Sequence, residues 1–210
     1  MGDIYTLFDT KERNAAGIYS IRLWNMGLPV SVVVDDYFPF KQDNTPAFSK
    51  FSPSKELWPM LLEKAIAKAI ANYDFAAVGT PNDAMFILTG APGNFFANST
   101  KTDVQIFDLI VSWFAAGNFV VASTSSGYSG IVAGHAYTVL GAYTLSNGER
   151  VLKMRNPWAY GEWSLAYSDS DPYWSANPKD AEAVGFKSES EGIFFMTAAD
   201  YKARINSTSY

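Results

Sequence analysis

No cysteine occurs in the 210 residues, and histidine occurs once, at His135. The first absence removes disulfides, thiolate metal sites and thiol catalysis by the chain's own side chains. The second leaves too few imidazoles for a metal-dependent hydrolase, and the scattered carboxylates form no recognisable ligand spacing. Charge is sparse too: Asp, Glu, Lys and Arg make up 18%, the net charge is −5, and no run of Lys or Arg is present. Nucleic acid is therefore not an expected partner. The most apolar stretch, "DLIVSWFAAGNFVVAS" (108–123), is broken by Ser112, Gly117 and Asn118 and is too short to span a bilayer. The N-terminus "MGDIYTLFDTKERNAAG" lacks the basic start and apolar run of a signal peptide, and Tyr5-Thr6 poorly continues a myristoylation signal. Without a secretory route, the "NST" triplets at Asn98 and Asn206 read as ordinary surface sequence. The expectation is a soluble, cytoplasmic protein.

What the chain does hold is apolar and aromatic. Hydrophobic residues make up 48% and aromatics 16%, enough for a packed globular chain of one large or two small domains. "AGIYSIRLW" (16–24) and "LPVSVVVDDYF" (28–38) read as a hairpin across "NMG", ended by Asp35-Asp36 and Pro39. "SKELWPMLLEKAIAKAIANYDF" (54–75) carries Trp58, Leu61, Leu62, Ala65, Ile66, Ala69 and Ile70 at helical spacing. Gly and Pro punctuate 76–94, which reads as a linker. A second helix over 100–118 is opened by Thr102 with Gln105 and closed by Gly117. Strands follow at 119–124, 135–145 and 150–156, and the tail "EGIFFMTAADYKARI" reads as a strand and a short helix. The order, helical first and mostly antiparallel afterwards, predicts an α+β fold.

His135 lies in "GHAYTVLGAY" (134–143), at the start of one of those strands. A lone strand histidine is often no more than a core residue satisfied by a neighbour. Two features point further. Gly134 allows another backbone to come close, and Asn156 ends the partner strand just before Pro157. An amide there can accept the imidazole Nδ1–H and fix its tautomer, as the orienting residue of a nucleophile–His–Asn triad does. Register argues against a simple pairing. A two-residue turn at Asn147-Gly148 sets Asn156 opposite Val139, on the right face but about 13 Å too far along. A wider loop around "LSNGE" is needed to bring the pair within about 3–4 Å.

The chain resembles the protease core of the calpain family of cysteine endopeptidases. The likeness is carried by "AGIY…LPVSVVVDDYFP", "ELWPMLLEKAIAKAIANYDF", "GHAYTVLGAY" and "RNPWAYGEWSLAYSDSDPYW". It implies a papain-like α+β core: a partial helical first subdomain over 1–79 and a β-rich second one over 80–210. His135 and Asn156 match the catalytic positions, and Trp158 matches a tryptophan beside the active site. Gly134 and Gly79 match glycines that hydrogen-bond an extended polypeptide substrate, Gly79 also marking the hinge. The resemblance further implies calcium bound by loops, with Glu162, Asp169 and Glu191 as ligands in the second subdomain and Glu56 in the first. Ile193 stands where the family has another glutamate, which weakens that site. The nucleophile of the family lies in a Gln…Gly-x-Cys-Trp segment upstream of "AGIY", which this chain does not contain. "SSGYSG" (125–130) is no substitute. Two functions are compatible with this pattern: a truncated cysteine endopeptidase core, inactive alone and awaiting its missing segment, or a catalytically dead peptide-binding module. Lack of that segment is also expected to leave an apolar patch on the helix at 54–75.

Overall fold

The computed structural model describes residues 4–51, 55–76 and 79–210. They form two compact units, Met1–Gly93 and Asn94–Tyr210.

In the first unit, β1 (Ile18–Asn25) and β2 (Leu28–Asp35) form an antiparallel hairpin in which Asn25 faces Leu28. The two turn residues, Met26 and Gly27, have φ of 49° and 78°, the left-handed pair that matches the twist of the strands. Period-two alternation puts Tyr19, Ile21, Leu23, Val32 and Val34 on one buried face. Helix α1 (Trp58–Ile70) covers that face with Leu61, Leu62 and Ala65. On its outer side, Lys68 Nζ donates to Val33 O at 2.7 Å and Lys64 Nζ to Asp35 O at 3.3 Å, occupying carbonyls of β2 that face no second strand. A cleft of about 610 Å³ opens beside the start of α1, lined in part by Phe8, Tyr19, Trp58 and Leu61; Trp58 is 39% exposed. Of the stretch expected to be helical over 54–75, Ser54 lies outside the described residues. A separate turn, α2 (Tyr73–Ala76), follows.

The expected linker is instead largely helix. α3 (Pro81–Thr89) has a complete capping box between Thr80 and Asp83, Pro81 in its first turn and Gly90 at φ 72° after its end. Ile87 and Leu88 join the hairpin core, and a side chain at Gly90 would meet the Trp24 ring at 2.5 Å. Residues 80–93 thus pack with the first unit, and the division falls after Gly93 rather than after Gly79.

The second unit is built on six strands: β3 (Phe95–Ala97), β4 (Val120–Ser123), β5 (Ala136–Thr144), β6 (Arg150–Arg155), β7 (Ile193–Thr197) and β8 (Ser207–Ser209). Their order is β3-β8-β4-β5-β6-β7, with every adjacent pair antiparallel. Helix α4 (Asp103–Ala115), capped by Thr102 and Gln105, lays Ile106, Phe107 and Ile110 on Val120, Tyr137, Val139, Leu152 and Met154. Two unforeseen short helices, α5 (Pro172–Ala176) and α6 (Pro178–Val184), start at Asp171-Pro172 and Asn177-Pro178. Trp174 and Val184 from them close a smaller core with Leu145, Val151 and Phe195. α7 (Ala198–Arg204) then returns Tyr201 to the main core. Asn98 is a correction: it is fully buried rather than on the surface, donating to Ile205 O at 3.0 Å and accepting from Thr208 Oγ1 at 2.8 Å. Among the described residues no helix is long and apolar enough to cross a membrane.

Candidate active site

The β5–β6 hairpin decides whether His135 and Asn156 can meet. Leu145 N bonds Glu149 O at 2.8 Å, so the loop has three residues, with Gly148 at φ 85° in its left-handed position. One extra loop residue alone would put Asn156 opposite Thr138, on the wrong face of the sheet. The register slips a second time between Val139 and Gly141, after which Thr138 faces Arg155. The two slips together return Asn156 to the face of His135 and move it two positions nearer. His135 and Asn156 become diagonal neighbours, a spacing of about 7–8 Å that two side chains can bridge. The imidazole Nε2 lies 2.9 Å from Asn156 Oδ1. It is Nε2, and not Nδ1, that meets the amide, because only the distal nitrogen reaches across the diagonal.

Asn156 is completely buried, and its side chain uses every hydrogen-bonding position it has. Nδ2 donates to Tyr160 O at 2.8 Å and to Gly161 O at 3.0 Å, while Oδ1 accepts from Trp158 N at 3.1 Å. Two carbonyls can only accept and a backbone N–H can only donate, so the amide cannot be flipped. Oδ1 therefore faces the imidazole, and in the neutral ring Nε2 carries the proton and Nδ1 the lone pair. Nδ1 has no hydrogen-bond partner among the described residues. The backbone of His135 is held as well: its N–H donates to Thr124 Oγ1 at 3.1 Å and its carbonyl accepts from Thr124 N at 2.9 Å.

The Trp158 ring lies over the imidazole, with centroids 4.5 Å apart, and the edge of Tyr137 packs at 4.9 Å. Gly134 is exposed and borders open space. Gly79 also borders open space, in the first unit. Glu56 is in the first unit too, an exposed residue accepting from Trp58 Nε1 at 3.2 Å.

Glu162, Asp169 and Glu191 come together, each offering a carboxylate oxygen within 4.8 Å of the others. Both Asp169 oxygens and Glu191 Oε2 are buried without a hydrogen-bond partner. Burial, reinforced by the charges of Glu162 and Glu191, pushes the Asp169 carboxyl up to about 7. Burial also raises Glu191. Ile193 opens β7 opposite Arg155.

Sequence reasoning does not single out Gly192, which joins this cluster to the histidine–asparagine pair. Its N–H donates to Glu162 Oε1 at 2.6 Å, and its carbonyl accepts from Asn156 N at 2.7 Å. A Cβ at Gly192 would lie 2.8 Å from Asn156 O and 2.9 Å from Ala159 Cα, whereas one at Gly148 would meet nothing within 4 Å. Both glycines have φ 85°, so the two alanine variants share the backbone strain and differ in crowding. Gly148→Ala should cost about 1 kcal/mol and Gly192→Ala about 1–3 kcal/mol more. Equal losses in urea unfolding would mean that the contact at Gly192 relaxes freely.

An imidazole held in one tautomer, with Nδ1 open, is what a nucleophile–His–Asn triad requires of its histidine. Comparison with known proteins gives the family. Residues 4–209 match the calpain family cysteine protease domain. The chain is 32% identical over 220 residues to the calpain-type cysteine protease DEK1 of Zea mays, covering 99% of this chain and 10% of that protein. It is 32% identical over 200 residues to calpain-12 of Mus musculus, covering 91% and 28%. Against the calpain-1 catalytic subunit of Macaca fascicularis the identity is 32% over 203 residues, covering 90% and 28%. The chain belongs to the calpain family of cysteine proteases, and it spans between a tenth and under a third of the length of these relatives.

Proposed function

We propose that these residues are the histidine- and asparagine-bearing part of a calcium-dependent, intracellular cysteine endopeptidase core, and that alone they cleave no peptide bond. The observation that carries this reading is the Asn156 hydrogen-bond network, which favours the proton on Nε2 and leaves Nδ1 free to take one from a thiol. His135 is the general base and later the acid, Asn156 its orienting residue, and Trp158 a ring that keeps water from their hydrogen bond. Gly134 and Gly79 are offered to the backbone of an extended polypeptide substrate. The thiol must come from a segment beyond these 210 residues, since they contain no cysteine. That same lack favours a second reading, a catalytically dead peptide-binding module. A cleavage assay on the chain, with and without a cysteine-bearing segment joined to it, separates the two.

Calcium is part of the proposal, and the residues fit it. Three gathered carboxylates, two of them with orphaned, buried oxygens, suit a hard cation better than they suit one another. Glu162, Asp169 and Glu191 would hold the ion, which when bound supplies the positive charge that the cluster lacks. Glu56 is the first-unit candidate. A titration measures the effect. The folded Asp169 carboxyl titrates near 7 against an ordinary 3.8, so the fold favours its protonated form. Its contribution is full at low pH and is lost as pH rises toward and through 7. This group should therefore make the metal-free protein melt at a lower temperature at about pH 7.5 than at about pH 5.5. Millimolar calcium should recover the loss at the higher pH and do little at the lower. Glu162→Gln should weaken the recovery. A melting temperature indifferent to calcium at both pH values would take calcium out of this account.

A further inference from the structure

The loop after Asn156 presents two large rings to solvent beside the imidazole. Trp158 is 49% exposed and Tyr160 58%, with ring centroids 5.8 Å apart and planes 30° from parallel. Imidazole, indole and phenol thus follow one another, and the Tyr160 ring lies no more than about 10 Å from that of His135. This loop is held firmly. Asn156 binds Trp158 N and Tyr160 O with its side chain, its carbonyl accepts from Ala159 N at 3.0 Å, and Ala159 turns the chain at φ 60°. Rings fixed in place and left half open gain free energy when an apolar group covers them, and little ordering entropy is lost in doing so. An extended peptide advances about 3.3 Å per residue, so a side chain two or three positions from the bond facing His135 reaches the Tyr160 ring.

We propose that Tyr160 is a specificity-determining residue: with Trp158 it forms a shelf that selects a large apolar or aromatic side chain of a bound peptide. This rests on the reading of His135 and Asn156 as the centre at which polypeptide binds. The occupant is a peptide because the shelf is continuous with that pair through the hydrogen bonds of one residue, Asn156.

The absence of a thiol makes the test direct, since bound peptides are not consumed. Short acetylated peptide amides differing only in one Phe or Ala are titrated into the isotope-labelled 210-residue chain, and the Trp158 indole N–H resonance is followed by NMR. The Phe peptide should bind about fivefold more tightly than the Ala peptide, as expected for one aromatic pair. Tyr160→Ala should erase most of that preference with an unchanged melting temperature, and Tyr160→Phe, which keeps the ring, should retain it. A preference that survives Tyr160→Ala overturns the proposal, as does failure of either peptide to bind at millimolar concentration. Cleavage by the cysteine-bearing chimera with no role for Tyr160 would remove the shelf alone. A Tyr160-dependent preference in an inactive chimera would remove the protease reading and leave the shelf as a binding site.

Discussion

Asn156→Ala should lower the stability of the second unit by about 2–4 kcal/mol and release His135 from its single tautomer. The substitution leaves Tyr160 O, Gly161 O and Trp158 N without their partner, in a segment whose anchor is fully buried. A buried polar group deprived of its partner costs about 1–3 kcal/mol, and water entering the loop offsets part of the total. For a domain of this size the melting temperature should fall by on the order of 10 °C. Nitrogen NMR of the imidazole reads the second effect, with the proton on Nε2 in the parent chain and shared between both nitrogens in the variant. Asn156→Asp separates the two roles. A carboxylate still accepts from Nε2 and from Trp158 N, so the tautomer should persist. It cannot donate to the two carbonyls and sets a negative charge against them, so the stability loss should match or exceed that of alanine. An unchanged imidazole spectrum in the alanine variant would show that something other than Asn156 fixes the proton.

Local chemistry makes much of the fold legible in the sequence. The stripe from Trp58 to Ile70 and the Thr102–Gln105 box determine α1 and α4 within a few residues, because period and capping act at short range. The same kind of signal lies in Thr80-Pro81…Asp83…Gly90, and reading that stretch as linker gives too much weight to its Gly and Pro. α5 and α6 are similarly announced by Asp171-Pro172 and Asn177-Pro178. Register is harder. That His135 and Asn156 share a face follows from period two, but their separation depends on a second slip inside β5. Gly141 marks it: a side chain there would meet the Tyr143 ring at 2.6 Å. A glycine inside a strand pattern is a sign of such an irregularity, yet only the packed sheet shows that the slip moves the ladder by the residue required. Gly192 is illegible for a different reason. Its role comes from contacts with Glu162 and Asn156, both about thirty residues or more away, and no local pattern encodes them.

Casein incubated with calcium and the 210-residue chain should remain intact, and should be cut once a Gln…Gly-x-Cys-Trp segment from a calpain relative is joined ahead of Met1. The chain alone has the His135–Asn156 hydrogen bond and no thiol to ionise. In triad hydrolases, removing the nucleophile costs roughly a millionfold in turnover, which puts any residual rate below detection. In the chimera a thiol beside Nδ1 can pass its proton to the lone pair that the Asn156 network keeps free, leaving a thiolate beside an imidazolium. Cleavage should then be abolished by a thiol-alkylating reagent and should fall by a factor of a thousand or more with His135→Ala, since proton transfer and thiolate formation are lost together. Near-UV circular dichroism checks that each variant is folded. A folded chimera with the tautomer intact and no activity would leave the binding module as the surviving function. Cleavage by the chain alone that resists alkylation would demand a different nucleophile, and His135 would then be the base for some group other than a thiol.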